Sequence, residues 1–276
     1  MDVKSAFLHG YFHEEIYMEQ PPGFIQKDSN LVFCLRKSLY GLKQAPWAWY
    51  AKMDRFLLDN GFSRCHSDNT VYTKKVGKSF TILVLYVDDL ILTSSDPNHI
   101  NHVKYNLKKK FEMIDLGHLH YFLGLQVLQS KEGITLSQSK YACGLLHHLH
   151  MEDCKPAPSP FQSGVKLSVT CTSLEVDATL YCQLVGKLLY LTHICPNLSF
   201  VVGLVARFMH QPHESHWKEA KIILQYIRGI VQFRIHYSAG VSPLLIGFTD
   251  SDWAGDSDDR KSTAGYVFTL GLGPIT

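Results

Sequence analysis

The sequence predicts an α+β fold in which an antiparallel sheet is packed against helices, and three features predict it. The first is TILVLYVDDLILTSS, where strand-like runs at 81–87 and 90–93 are joined with almost no loop, so they can only pair antiparallel. The second is a pair of helical stretches that flank this hairpin, at 45–60 and 98–111. The third is a late change of pattern, from helical periodicity over 178–228 to strand-like alternation at 232–237, 244–250 and 263–270.

Taken in order, MDVKSAF reads as a strand at 2–8, with Asp2 and Lys4 alternating against Val3 and other apolar positions. Strands are expected at 15–19 and 31–36, then the helix at 45–60, closed by Gly61. After the central hairpin, the helix at 98–111 carries Lys104, Lys108, Lys109 and Lys110. A second hairpin pairs 120–128 with 134–136, turning at Lys131-Glu132-Gly133, and 139–151 is helical. CKPAPSPFQSG, at 154–164, is rich in Pro and Ser and reads as a linker that continues irregularly to about 176. Helices follow at 178–192, 197–210 and 214–228. The last sets Lys218, Lys221, Gln225 and Arg228 opposite Trp217, Ala220, Leu224 and Ile227. A solvated surface is the ordinary explanation of that basic stripe. There is no internal repeat.

A chain of 276 residues can bury a substantial core and suggests one or two domains. With 46% hydrophobic and 19% charged residues it is not a disordered composition. A net charge of +2 is too weak to establish nucleic-acid binding, and the 15 His add charge only below about pH 6.5. Seven Cys without a C-x-x-C pair argue for a reducing compartment, against a zinc site or a disulfide frame. No signal peptide is visible, and Asp88-Asp89 splits the longest apolar run, which leaves no credible membrane-spanning helix.

The same Asp88-Asp89 pair carries the chemistry. Two adjacent carboxylates at a tight turn repel each other and are costly to desolvate beside so much apolar surface. A divalent cation removes that cost, because hard Mg²⁺ takes oxygen ligands and a two-metal site needs a carboxylate cluster. A plain polar β-turn is the alternative, since Asp is common in turns. Asp2 offers a further carboxylate on a separate strand.

Asp2 in MDVKSAF, LYGLKQAP at 39–46 and YVDD at 86–89 occur in the order of the palm motifs of reverse transcriptases, and resemble them. The longer wording MDVKSAFLHG, EEIYMEQPPGF, KSLYGLKQAPWAWY and YVDDLIL resembles the pol polyprotein of copia-type LTR retrotransposons. The resemblance continues through FEMIDLGHLHYFLGLQV, YCQLVGKLLYLTHICPNLSF, FMHQPHESHWKEAK and FTDSDWAGDSDDRKSTAGYVF, essentially the whole chain. It implies a right-hand fold: a palm over 1–150 with the fingers largely missing, a linker at 151–177, a helical thumb or connection-like region at 178–240, and a truncated RNase H-like β-hairpin at 241–276. It implies an RNA-directed DNA polymerase joining dNTPs to a primer 3′-hydroxyl with two Mg²⁺ ions, or Mn²⁺ in their place. The implied partners are an RNA or DNA template–primer and other parts of a pol polyprotein. The implied setting is intracellular, in a cytoplasmic particle or the nucleus.

Residue by residue, the resemblance makes Asp2, Asp88 and Asp89 the catalytic metal ligands, holding two ions about 3.5–4 Å apart. Phe7 falls where an aromatic gate would collide with a 2′-hydroxyl, with simple core packing as the alternative. Tyr40, Gly41 and Tyr86 resemble positions that line the nucleotide pocket, and Lys43 would touch template phosphate, with a merely solvated lysine as the alternative. Phe122 and Gly124 in FLGL resemble the primer grip. Cys182, Gly186 and Tyr190 share one helix face and match the thumb surface that follows the minor groove. Glycine in mid-helix costs about 1 kcal/mol against Ala, which close approach to a duplex or to another helix would explain. Asp250 matches the first RNase H metal ligand, while Asp252, Asp256, Asp258 and Asp259 read as loop charges.

The pattern also departs from the family. Trp47, Cys182 and Cys195 stand where it carries Arg, and the family pattern continues upstream of Met1 with a fingers segment. The expectation is a decaying copy, truncated at both ends, that extends a primer poorly or not at all. The alternative is a non-catalytic remnant that at most binds nucleic acid. The final hairpin is expected to expose an edge and an apolar face, to be lost early to proteolysis, and to have no ribonuclease activity.

Overall fold

The computed structural model describes residues 1–12, 14–25, 31–170, 172–256 and 258–275. The backbone forms two compact units, Met1–His118 and Leu119–Thr276.

In chain order the first unit contains β1 (Asp2–Val3), a 3₁₀ turn (Ala6–His9), β2 (Tyr17–Met18), β3 (Phe33–Cys34) and α1 (Ala45–Asp59). It continues with β4 (Ser63–Arg64), β5 (Val71–Val76), β6 (Ser79–Tyr86), β7 (Asp89–Ser94), α2 (Pro97–Lys110) and β8 (Met113–Ile114). Six strands form an antiparallel sheet in the order β4-β5-β6-β7-β1-β8, and β2 pairs with β3 apart from it. Alternation along β6 buries Thr81, Leu83 and Leu85 and leaves Phe80 and Tyr86 exposed. The buried side meets Trp49, Met53 and Leu57, spaced four apart along α1, and Val103, Leu107 and Phe111 from α2 and its end. Asp96 caps α2 by accepting the Asn98 N–H at 2.9 Å, and Pro97 sits at the first helical position.

Here the sequence reading holds for the central hairpin and both helices and overreaches elsewhere. The strand expected at 2–8 shrinks to two residues, because Ser5 (φ 52°) turns the chain into the 3₁₀ turn. Those expected at 15–19 and 31–36 reduce to the pairs Tyr17↔Cys34 and Met18↔Phe33. Strand β5 escapes a hydrophobic scan because Lys74 and Lys75 interrupt its β-branched run.

The second unit contains β9 (Tyr121–Phe122), β10 (Leu125–Gln129), β11 (Gly133–Ser137), α3 (Ser139–His148), α4 (Ala178–Leu191), a 3₁₀ turn (Pro196–Leu198), α5 (Ser199–Ala206) and α6 (Glu214–Gly229). It ends with β12 (Arg234–Ser238), β13 (Leu245–Ser251), β14 (Ala264–Leu270) and β15 (Gly273–Pro274). Its sheets run β12-β11-β10-β9 and β13-β14-β15. Leu146, Tyr181, Leu188, Val202 and Ile223 form the heart of a core shared by α3, α4, α5 and α6.

The strand expected at 120–128 breaks, since Leu123 (φ 48°) and Gly124 (φ 80°) make a two-residue turn that pairs Phe122 with Leu125. The helix expected at 197–210 ends at Ala206, where bonds from Phe208 N–H to Val205 O and Met209 N–H to Ala206 O tighten the chain. Among its described residues, the stretch read as a linker has no helix or strand, yet it is tied down. Phe161 and Leu167 pack on the helical core, and the Ala157 N–H donates to Gln225 O at 3.3 Å.

The expected terminal hairpin forms, in the register Leu245↔Leu270 through Ser251↔Ala264, and leaves Phe248 and Tyr266 more than 60% exposed (63% and 64%). Two of its acidic residues are not free loop charges. Asp256 is buried against the Arg207 guanidinium and accepts the N–H groups of Asp258 and Asp259. Asp258 accepts from the Ser168 hydroxyl and the Val169 N–H. Cys34, Cys65, Cys143, Cys154, Cys182 and Cys195 are free thiols, and Cys171 lies outside the described residues. Among the described residues no helix is long and apolar enough to cross a membrane.

One buried histidine gives this unit a pH dependence. His216 is fully buried and stacked 3.9 Å from the Phe208 ring. Its Nδ1 accepts the His213 N–H at 3.0 Å, so its Nε2 carries the proton, donated to Ser168 O at 3.1 Å. Burial holds its pKa below the ordinary imidazole value. The unfolded chain therefore takes up a proton that the folded chain refuses. This contribution to stability is whole above about pH 6.5 and is lost as the pH falls below it. Urea unfolding between about pH 7.5 and 5 should show the loss, with a shallower pH slope in His216→Asn; equal slopes would contradict it.

Candidate active site

The carboxylates meet because β1 is inserted beside β7. The Val3 N–H donates to Asp88 O at 2.9 Å, and the Leu90 N–H donates to Met1 O at 2.8 Å. This register sets Asp2 opposite Asp89, with Ile114 of β8 on the other side of Asp2. Asp88 occupies the two-residue turn, Val87-Asp88, that closes β6 onto β7 where Tyr86 pairs with Asp89. Residues opposed on neighbouring strands have Cβ atoms about 4.5–5.5 Å apart, and like charges there are destabilising. Burial, then repulsion from Asp88 and Asp2, raises the Asp89 carboxyl above its usual pKa, with the amino-terminal ammonium opposing.

The turn itself is strained and clamped. Val87 has φ 54°, an outlier for a β-branched residue that costs on the order of 1–3 kcal/mol. The Trp49 indole N–H donates to Val87 O at 2.6 Å. Trp49 is itself fixed, buried and edge-on to Phe111 at 5.4 Å between ring centres. Thus α1 holds the turn from beneath.

Three carboxylates are the donor chemistry a hard divalent cation prefers. Their side chains are not gathered into a closed ligand set: among the described residues, no group of three or more His, Cys, Asp or Glu is arranged to hold a metal ion. The same holds at Asp250, which is exposed on β13 opposite Gly265.

Of the residues assigned to the nucleotide, Phe7 on the 3₁₀ turn meets Tyr40. The rings of Phe7 and Tyr40 lie 5.0 Å apart. Ser38, fully buried, donates its hydroxyl to Phe7 O and its N–H to Gly10 O at 3.1 Å. A Cβ on Gly10 would lie 2.7 Å from the Ala48 Cβ, so only glycine lets α1 approach this closely. Gly41 (φ 90°) and Lys43 are exposed, and Tyr86 is half exposed.

In the second unit, the three residues of one α4 face part company. Cys182 is half-buried, its thiol donating to Met209 O at 3.3 Å beyond α5. Gly186 is exposed, with nothing within 4 Å of where a Cβ would stand, so helix packing does not explain it. Tyr190 turns to the β9–β10 hairpin and donates its hydroxyl to Leu123 O, beside Gly124 and the half-buried Phe122. The sequence reading missed Trp49, Ser38 and Gly10. Trp49 is visible as a core position from the 49/53/57 stripe, but its bond to a remote carbonyl is not.

A family model described as reverse transcriptase (RNA-dependent DNA polymerase) matches residues 1–163. The chain belongs to the reverse transcriptase family. It is 41% identical to the retrovirus-related Pol polyprotein from transposon RE1 of Arabidopsis thaliana and 38% to that from RE2. It is 40% identical to the Pol polyprotein from transposon TNT 1-94 of Nicotiana tabacum. All of this chain is covered in each case, and it spans about a fifth (19%, 19% and 22%) of those relatives. It is therefore a copia-type reverse transcriptase sequence. No solved structure matches it.

Without bound cations, the opposed carboxylates of this chain should cost stability. Asp89→Asn removes one of them and is expected to raise stability in EDTA by about 0.5–1 kcal/mol. Thermal unfolding checks this, and a lowered midpoint would show that Asp89 is held by favourable contacts instead.

Proposed function

We propose that this chain carries the catalytic palm of an RNA-directed DNA polymerase, adding deoxynucleotides to a primer 3′-hydroxyl on an RNA or DNA template. The observation that carries the reading is the opposition of Asp2 and Asp89 across β1 and β7, with Asp88 in the adjoining turn, in a reverse transcriptase sequence. Asp2, Asp88 and Asp89 would hold Mg²⁺ or Mn²⁺. When bound, such cations neutralise triphosphate charge and activate the attacking hydroxyl. The adjacent rings of Phe7 and Tyr40 would floor the sugar site, Phe7 excluding a 2′-hydroxyl. Gly41 leaves backbone open to the base, Tyr86 borders the same site, and Lys43 would meet template phosphate. Phe122 and Gly124 would contact the primer end, and the open surface at Gly186 the duplex.

The division into palm (1–150), linker (151–177), thumb (178–240) and RNase H start (241–276) belongs to this proposal. So do Asp250 as an RNase H ligand, pol segments as partners and an intracellular setting. A second reading, a non-catalytic remnant, is favoured by Trp47, which stands 75% exposed where the resemblance expects Arg.

Primer extension separates the two. The chain, given a DNA primer on an RNA template, dNTPs and Mg²⁺, should extend slowly. Activity should vanish in EDTA and fall about a hundred- to a thousandfold in Asp88→Asn, as expected when positioned charge stabilisation is lost. Extension that survives Asp88→Asn overturns the site. No extension, with template–primer still bound, supports the remnant.

A further inference from the structure

We propose that Tyr190 is a positioning residue: its hydroxyl latches the β9–β10 turn onto α4, so that the hairpin tip and the open α4 surface meet a primer–template as one body. This rests on the nucleic-acid reading above. It replaces direct nucleic-acid contact by the Tyr190 hydroxyl, which is already committed to Leu123 O.

The hairpin needs such a latch. Strand β9 is two residues long and lies at the edge of the β12-β11-β10-β9 sheet, held by two residue pairs to β10. Both turn residues are left-handed, and Leu123, at 43% exposure, gains little from burial. Gly124 is shaped around the tyrosine. A Cβ there would collide with the Tyr190 hydroxyl and lie 3.3 Å from its Cζ.

The latch is anchored on its other side. The Tyr190 ring stands edge-on to Tyr141 at 4.6 Å, and the Tyr190 carbonyl accepts from Gln138 Nε2 at 2.8 Å. Gly186 lies one turn back along α4, about 6 Å at a rise of 1.5 Å per residue. The exposed surface at Gly186 and the Tyr190 latch are therefore neighbours along α4.

The test uses Tyr190→Phe, which keeps the ring and removes one hydrogen bond, an effect of about two- to tenfold. Hydrogen–deuterium exchange over 119–127 should rise by that factor while α4 keeps its protection. Binding is then compared for an RNA–DNA duplex with a recessed primer 3′ end and for the same duplex made blunt. The wild-type preference for the recessed end should fall by the same factor in the variant, with blunt-duplex affinity unchanged. A second variant guards against misfolding: the stability lost in Gly124→Ala should be partly recovered when Tyr190→Phe is added. Unchanged hairpin exchange, or no recovery, overturns the latch. Raised exchange with an unchanged end preference overturns the positioning role and leaves a local structural bond. A wild-type chain that binds both duplexes equally overturns the positioning role, and one that binds neither overturns the nucleic-acid reading and the positioning role with it; in both cases exchange still decides the latch.

Discussion

The candidate site depends on the insertion of a two-residue strand, Asp2–Val3, between β7 and β8. Strands β4 to β7 are built from successive local hairpins, whereas β1 and β8 must arrive from distant parts of the chain. Closing such a contact costs loop entropy before any bond is made. What returns it is burial. Val3 and Ala6 are each 1% exposed within the core that α1 and α2 form against the sheet. The insertion also sets Asp2 against Asp89, so the interaction that completes the sheet creates its electrostatic liability.

The turn carries a second liability of the same kind. Val87 holds a backbone conformation that β-branched residues avoid, and the Trp49 indole clamps its carbonyl. Strain and like-charge opposition are thus concentrated in Asp2, Val87, Asp88 and Asp89, with α1 supporting the turn from beneath.

How much was legible in the sequence follows from where each partner lies. The β6–β7 hairpin, α1 and α2 announce themselves by local periodicity and by caps such as Asp96-Pro97. The two-residue strands do not, because their existence depends on pairing across the chain rather than on any run of residues. Trp49 to Val87, Ser38 to Phe7 and Tyr190 to Leu123 all end on backbone carbonyls of remote turns, which carry no side-chain signature. Asp256 and Asp258 read as loop charges because Arg207 and Ser168 are distant in sequence. The carboxylate pair at 88–89 was visible as chemistry, but its partnership with Asp2 came from resemblance to a family. The register of β1 against β7 supplies a physical basis for it.

The central claim is that Asp2, Asp88 and Asp89 form one cation site. Electron paramagnetic resonance of a Mn²⁺ titration tests it without requiring turnover. The account predicts saturable Mn²⁺ uptake by the wild-type chain, competed by Mg²⁺ and lost in Asp88→Asn and in Asp2→Asn alike. Uptake that persists unchanged in both variants would contradict it.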